Sequence, residues 1–165
     1  MIRPAVLSDA DALGELQLAC WHEAYGALAP PGTLDGETLA ERVRIWTGLL
    51  ERDMNVLVLE IDGALDGFAG YGPARDDDVG EETGELYALY LRAARQGVGL
   101  GRRLQDQALA PIVDGGASEA IVWALEANER ARRFYETSGW SLDDRVGPKL
   151  MQWGLPEVRY CRTFP

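Results

Sequence analysis

The chain has 165 residues, enough for one domain with a sizeable hydrophobic core. Its 27 acidic and 16 basic residues give a net charge of −11, which excludes a protein that binds nucleic acid chiefly by neutralising phosphates and disfavours docking on an anionic membrane. A cationic small molecule or a basic peptide is a more compatible partner, although an acidic surface that only keeps a protein in solution is commoner.

The sequence lacks the patterns of disulfide frameworks, zinc sites and secretion signals. Cys20 and Cys161 are too few for a disulfide framework, and with the single histidine, His22, they do not have the spacing of zinc ligands. The first residues lack the basic and apolar regions of a signal peptide, and no apolar run reaches the ~18 residues of a membrane span. We therefore expect a cytoplasmic protein that holds no metal.

The first part of the chain predicts a strand followed by two helices. Residues 2–7 are typical of a short strand, and Ser8 with Asp11 has the spacing of a helix capping box. The helix that follows reaches about residue 26, and a Pro-Pro-Gly break separates it from a second helix. The apolar face of this second helix comprises Leu39, Val43, Trp46 and Leu50.

Three strands are predicted next. Residues 55–61 and 64–71 are rich in apolar residues and flank Asp62-Gly63, a hairpin signal. The segment 76–82 is an acidic loop, and residues 83–91 form the third apolar strand.

The last part of the chain predicts alternating helices and strands. A helix runs from about residue 99 towards residue 110, where Pro111 ends or kinks it. A buried strand over 119–125 and a short helix over 129–138 follow, and two closing strands lie between Trp140 and Phe164. Because there is no internal repeat and no linker, we expect one mixed domain over residues 1–165.

The strongest local feature is a glycine-rich turn between a strand and a helix, with glycines at positions 97, 99 and 101. Glycine allows positive φ and close approach of a ligand to the backbone, and the N–H groups at a helix start attract anions. Residues 92–103 contain four arginines and no acid, which favours an anion: Arg92, Arg95, Arg102 and Arg103. The turn is neither a Walker A loop nor a good dinucleotide fingerprint, and taken alone it could be a plain structural turn.

A second stretch of sequence makes this turn more specific. Residues 96–101 match the Q/R-x-x-G-x-G/A signature of the GNAT superfamily of acetyl-CoA-dependent N-acetyltransferases, and residues 85–91 resemble the fourth strand of that family. The residues similar to its following helix are Asn128, Ala131, Phe134, Tyr135, Glu136, Gly139 and Trp140. The turn before the signature is Arg92-Ala93, where the family often has Asp-Pro.

The resemblance implies an α+β fold with three α/β/α layers in a single domain. We expect a mixed, mostly antiparallel sheet of about six or seven strands, splayed between strands 4 and 5 and flanked by about four helices. It also implies acetyl-CoA as the cosubstrate, with its diphosphate on the turn and its pantetheine arm along strand 4. The cofactor-binding residues implied are Leu89, Tyr90, Leu91, Gln96, Gly97, Val98, Gly99, Leu100, Gly101, Arg102 and Asn128.

The resemblance also suggests which residues take part in catalysis. Glu85 stands where the family often has a general base, although it could equally be a surface carboxylate beside Glu81 and Glu82. Tyr135 is the expected general acid for the leaving thiolate, with a packed helix aromatic as the alternative. A backbone N–H near Leu89 or Tyr90 would stabilise the oxyanion.

The sequence does not identify the acceptor amine. Trp21, Tyr25 and Trp46 offer aromatic surface, although Trp46 is more typical of a core residue, and the acids of 76–82 could attract a cationic amine if they are not simply a disordered, solvated loop. The acceptor is therefore a small-molecule or peptide amine, and a homodimer through the closing strands is compatible with the sequence. The alternative function is a non-catalytic acyl-CoA-binding sensor or regulatory module.

Overall fold

An eight-stranded sheet runs through the middle of the computed structural model, which describes residues 1–150 and 152–165. The strands are β1 Ile2–Pro4, β2 Val56–Ile61, β3 Ala64–Pro73, β4 Thr83–Leu91, β5 Glu119–Leu125, β6 Ser141–Leu142, β7 Lys149–Leu150 and β8 Pro156–Thr163. Their order is β1-β2-β3-β4-β5-β8-β6, with β7 also paired to β8, and among these described strands only β4 and β5 are parallel. The predicted mixed sheet is confirmed, and it exceeds six or seven strands because the closing region forms three strands rather than two.

In the described part of the chain, four α-helices cover the two faces of this sheet, as predicted from the resemblance. They are α1 Ala10–Tyr25, α2 Leu39–Leu50, α3 Leu100–Asp114 and α4 Glu129–Thr137. On one face, Leu13 and Leu16 of α1 and Trp46 of α2 bury against Phe68 of β3, so Trp46 is a core residue. The other face packs against α3 and α4 in a second core. The two cores fix the sheet between two helical layers.

The N-terminal region differs from its prediction. β1 ends at Pro4, and Leu7–Asp9 forms a 3-10 turn before α1. The Ser8/Asp11 capping box is wrong, because Asp9 organises this corner: its Oδ2 accepts from the Val6 N–H at 2.8 Å and from Arg3 at 2.7 Å. The ion pair between Asp9 and Arg3 holds this 3-10 turn in place of an ordinary helix cap.

Helix α3 continues through Pro111 to Asp114, so its predicted end near residue 110 is wrong. A proline inside a helix removes the hydrogen bond from its own nitrogen to the carbonyl four residues earlier, and α3 tolerates this loss. Ile112 is buried and packs directly on Gly84 of β4, which stabilises the last turn.

The loop between β3 and β4 is anchored rather than disordered. Arg159 of β8 is 1% exposed and donates to Asp76 at 2.7 Å and to Asp78 at 2.8 and 2.9 Å. It also donates to the buried Asp143 at 2.8 Å. Asp76 and Asp78 of the predicted acidic loop are therefore paired with an arginine of the same chain. The other acids of this loop, Asp77, Glu81 and Glu82, are exposed.

Among the described residues, no group of three or more histidine, cysteine or acidic side chains could hold a metal ion. No helix in this part of the chain is long and apolar enough to cross a membrane.

Candidate active site

The glycine-rich turn between β4 and α3 presents a row of backbone N–H groups. Gly97 and Gly99 have left-handed φ angles of +81° and +83°, which cost a residue with a Cβ about 1–2 kcal/mol. The first helical hydrogen bond runs from the Arg103 N–H to the Gly99 carbonyl, and the N–H groups of residues 97–102 donate to no other described residue. Together with the helix dipole, these N–H groups form a site for an anion.

Neighbouring side chains hold the turn in place. The Gln96 amide donates to the Leu91 carbonyl at 2.7 Å and so ties the turn to the end of β4. A Cβ at Gly101 would lie 3.5 Å from the Phe134 ring, so this glycine lets α4 approach the start of α3 closely. The side chain of Val98 is 72% exposed, so the turn would bind a ligand through its backbone.

The net positive charge around the turn is smaller than the local sequence predicts. Asp66 of β3 pairs with Arg95 at 2.9 Å and with Arg92 at 3.9 Å, although it lies outside the acid-free stretch 92–103. Arg102 donates to the Thr137 carbonyl at 3.0 Å. Asp66 thus offsets one of the four positive charges, and the backbone N–H groups are the main anion-binding feature.

Strands β4 and β5 diverge beside this turn. They pair in parallel only where Thr83–Glu85 meets Glu119–Ile121, although β4 continues to Leu91 and β5 to Leu125. Tyr87 has no partner in β3, because Gly70 pairs with Ala88 and Tyr71 pairs with Leu86. Such a bulge bends its strand, and it lies two residues after the last β4–β5 pair. We call the resulting gap between β4 and β5 the cleft.

The cofactor residues predicted on β4 border the cleft. Leu89, Tyr90 and Leu91 all lie beyond the last pairing with β5, where this edge of β4 is open. An extended ligand can pair with an open strand edge through backbone hydrogen bonds. Asn128 lies after the end of β5, where its side chain accepts from the Ala131 N–H at 3.1 Å and caps α4. Its predicted second contact, with pantetheine, stays a prediction.

Glu85 lies at the closed end of the cleft. It is 2% exposed, so the alternative of a surface carboxylate is wrong. Its Oε2 accepts from the backbone N–H and Nε of Arg75 at 2.9 and 3.1 Å, and its Oε1 accepts from Nη2 of Arg75 at 2.6 Å. In the structure these hydrogen bonds join Glu85 to the loop after β3, and its predicted role as general base stays a prediction.

Tyr135 of α4 is 6% exposed, and its ring packs against Phe134, Trp140 and Tyr160 at centroid distances of 5.4–6.0 Å. Its hydroxyl makes no hydrogen bond with another described residue. Burial raises the pKa of Tyr135, with smaller contributions of the same sign from Tyr25 and Glu157. The phenol therefore keeps its proton at neutral pH.

Tyr25 of α1 and Tyr90 of β4 come together beside the cleft, and electrostatic interactions connect them with Tyr135 of α4 and Glu157 of β8. The hydroxyls of Tyr25 and Tyr90 are 2.9 Å apart. Burial raises the pKa of Tyr25, and the charge of Glu157 raises it further. We call these four residues the cleft cluster.

Sequence reasoning found only part of this cluster. It named Tyr25 as acceptor surface, Tyr90 as a backbone contact and Tyr135 as an acid, and it missed Glu157. The charge of Glu157 raises the pKa of both Tyr25 and Tyr135, which lie far apart in the sequence. No local motif marks residues that interact only in the folded chain.

Trp153 forms a wall beside the cluster. Its ring contacts Tyr25 at 5.4 Å and Trp21 at 5.0 Å, and its Nε1 donates to Glu37 at 2.9 Å. Its φ of +57° is unusual for a residue with a Cβ. Trp21 is 2% exposed, so Tyr25 and Trp153 rather than Trp21 offer the aromatic surface.

The chain is similar to known proteins in sequence and in fold. The model of the acetyltransferase (GNAT) family matches residues 13–140. The chain belongs to this family. The resemblance noted in the sequence is thereby confirmed, and with it the enzyme class, an acyltransferase. The match covers the cleft, the glycine-rich turn and α4.

The chain is also similar to individual acetyltransferases. The uncharacterised N-acetyltransferase YuaI of Bacillus subtilis is 31% identical over 127 residues, which cover 77% of this chain and 72% of YuaI. The PaiA N-acetyltransferase of Thermoplasma acidophilum, solved with coenzyme A, has a TM-score of 0.76 at 16% identity and covers 99% of this chain and 98% of its own. The protein yncA of Salmonella typhimurium, solved with acetyl-CoA, has a TM-score of 0.71 at 24% identity and covers 100% of this chain and 94% of its own.

Proposed function

We propose that residues 1–165 form one catalytic domain that transfers the acetyl group of acetyl-CoA to a primary amine. The observation that carries this proposal is the cleft between β4 and β5 with the N–H groups of residues 97–102 at its mouth. Family membership and the relatives solved with coenzyme A or acetyl-CoA support the same cosubstrate.

The residues around the cleft fit acetyl-CoA. The diphosphate would accept hydrogen bonds from the N–H groups of Gly97, Val98, Gly99, Leu100, Gly101 and Arg102. Gln96 would hold the turn against β4, as it does in the structure. The pantetheine arm would pair with the open edge of β4 at Leu89, Tyr90 and Leu91 and contact Asn128, which lies after the end of β5. This arrangement directs the thioester towards the cleft cluster.

Transfer then needs no covalent intermediate on the protein. The neutral amine attacks the thioester carbonyl, a C–N bond forms and the C–S bond breaks. A backbone N–H near Leu89 or Tyr90 would stabilise the oxyanion that forms in between. Tyr135 would give its proton to the departing thiolate, because burial keeps the phenol protonated until a base forms beside it, and the proton that the nitrogen loses as the amide forms would restore the phenol.

Two measurements on the purified protein test this function. Calorimetry should show binding of acetyl-CoA, and a thiol assay over a panel of primary amines should show release of free coenzyme A that depends on the amine. Binding without amine-dependent thiol release would contradict transfer and would favour a non-catalytic acyl-CoA-binding module.

A further inference from the structure

We propose that Glu23 of α1 is a positioning residue for acetyl-CoA, because its carboxylate holds the backbone immediately before the glycine-rich turn. The contact is a hydrogen bond of 2.8 Å from the Ala93 N–H to Oε2 of Glu23. This inference rests on the proposed acetyl transfer and adds to it the side chain that prepares the anion site for the diphosphate.

Ala93 begins a short 3-10 turn, Ala93–Arg95, which we call the entry turn. It connects the end of β4 at Leu91 with Gln96, the first residue of the glycine-rich signature. Because only three residues separate Ala93 from Gly97, the orientation of the entry turn sets the direction in which the glycine-rich turn leaves the sheet. Contacts that hold the entry turn therefore also place the N–H groups of residues 97–102.

The other contacts that hold the entry turn come from the sheet and from the turn itself. The Arg92 N–H donates to the carbonyl of Asp66 in β3 at 2.9 Å, and Nε of Arg95 donates to the Asp66 carboxylate at 2.9 Å. The Arg95 N–H donates to the Arg92 carbonyl at 2.9 Å. Among the residues that the structure describes, Glu23 makes the only hydrogen bond from a helix to the entry turn.

The end of α1 is itself fixed beside the cleft. Glu23 lies in the last turn of α1, two residues before Tyr25. The Tyr25 hydroxyl lies 2.9 Å from that of Tyr90 in β4, and the Tyr25 ring contacts Trp153. A carboxylate on this fixed end of the helix is a firm anchor for the entry turn. The hydrogen bond thus joins the aromatic surface on α1 to the anion site.

This hydrogen bond needs a residue with an N–H group at position 93. The family often has proline here, and proline has no N–H group to donate. Alanine leaves this donor free for Glu23, and the Ala93 N–H donates to no other described residue. The bond is therefore a feature of this chain and does not belong to the glycine-rich signature that the chain shares with its family.

The charge of Glu23 by itself opposes the binding of an anion, because a carboxylate repels a diphosphate. If Glu23 had only this electrostatic effect, its removal would tighten the binding of acetyl-CoA. If Glu23 positions the entry turn, its removal weakens binding, because the released turn adopts conformations that cannot bind the diphosphate. The two roles therefore predict changes of opposite sign in acetyl-CoA affinity.

Calorimetry of acetyl-CoA binding separates these roles. Glu23→Ala should weaken binding by about 5-fold, the loss expected for one hydrogen bond. Glu23→Gln removes the charge but keeps an oxygen that accepts the bond, so it should bind acetyl-CoA at least as tightly as the wild type. Glu15→Ala removes another exposed acid of α1 and is the matched control, which should leave the affinity unchanged.

Ala93→Pro removes the other partner of this bond. Arg92 has a ψ of 140°, which suits the residue before a proline, and proline is favoured at the first position of a helical turn. Ala93→Pro should weaken acetyl-CoA binding as much as Glu23→Ala does. The double variant should lose no more affinity than either single variant, because both changes remove the same bond.

Thermal melting sets a titration temperature at which every variant is folded. Unchanged or tighter binding in Glu23→Ala, or an equal loss in Glu23→Gln or in Glu15→Ala, would overturn the positioning role. Additive losses in the double variant would overturn it as well. Any of these results with a wild-type protein that binds acetyl-CoA contradicts this inference alone, whereas a wild-type protein that does not bind acetyl-CoA contradicts the proposed function too.

Discussion

Gly99 shows how one backbone angle prepares the anion site. Its φ of +83° is left-handed and the space around its Cα is open, so a methyl group would cause strain without a clash. Gly99→Ala should lower the free energy of unfolding by about 1 kcal/mol and weaken acetyl-CoA binding, because the N–H groups of the turn would rotate away.

A matched control for Gly99→Ala is Gly48→Ala in α2. Gly48 also has open space around its Cα, but it is helical, so alanine should raise the free energy of unfolding by up to about 1 kcal/mol. Urea unfolding and calorimetry on both variants measure the two effects. Equal acetyl-CoA affinities in the two variants would show that the conformation of Gly99 does not matter for binding.

The proposed role of Tyr135 as an acid can be tested by removing its hydroxyl group alone. Tyr135→Phe removes a hydroxyl that has no hydrogen-bond partner among the described residues and leaves the ring packing intact. We expect kcat to fall by about 100-fold, in the range usual for loss of an acid, while acetyl-CoA affinity and thermal stability change little. Steady-state kinetics with a validated amine check this. An unchanged kcat would remove Tyr135 from proton transfer.

At the scale of elements, Arg159 connects β8, the β3–β4 loop and the turn at Asp143. Its side chain is fully buried and donates to three aspartates, so Arg159→Leu would leave the buried Asp143 without one of its two arginine partners. We expect a loss of about 3–5 kcal/mol in the free energy of unfolding. Removing the exposed Arg44, which pairs weakly with Glu41 at 3.7 Å, should cost less than about 0.5 kcal/mol. Urea unfolding measures both, and similar losses would mean that the buried cluster is no more important than a surface pair.

The same cluster predicts how stability depends on pH. Hydrogen bonds from Arg145 and then Arg159 lower the pKa of Asp143 from 3.8 to about 2. A lowered pKa in the folded state stabilises the protein above pH 4, and this stabilisation is lost as the pH falls from about 4 to 2. The loss should be about 1–2 kcal/mol, and urea unfolding at pH 5 and pH 2.5 measures it. Asp143→Asn should show a smaller change over this interval, and an equal change would assign the pH dependence to other groups.

Secondary structure was most predictable where the local signal was strong. β4 and β5 have the bounds that their apolar runs predict, and both hairpin residues, Asp62 and Gly63, have positive φ. The helix end predicted at Pro111 was wrong, because the hydrogen bond that this proline removes is offset by the packing of Ile112 on Gly84, a contact between distant segments. The bulge at Tyr87 also has no local signal, since it is defined by the register with β3.

Across the whole molecule, the net charge of −11 conceals a pattern that only the fold reveals. Asp66 pairs with two arginines near the anion site, and Arg159 pairs with two acids of the acidic loop. Neither pairing could be predicted from the sequence, because the partners in each belong to different strands and loops. The glycine turn and Tyr135 were found because motifs mark them, whereas Glu157 depends on how β8 meets the cleft.

The central claim is that this site transfers acetyl from acetyl-CoA directly to an amine. The most direct measurement mixes the protein with acetyl-CoA and 2-phenylethylamine, counts free thiol and weighs the products by mass spectrometry. We predict one N-acetylated amine for each thiol released and no acetyl group left on the protein. Thiol release without acetylated amine, or an acetylated protein that persists when the amine is added, would contradict the account.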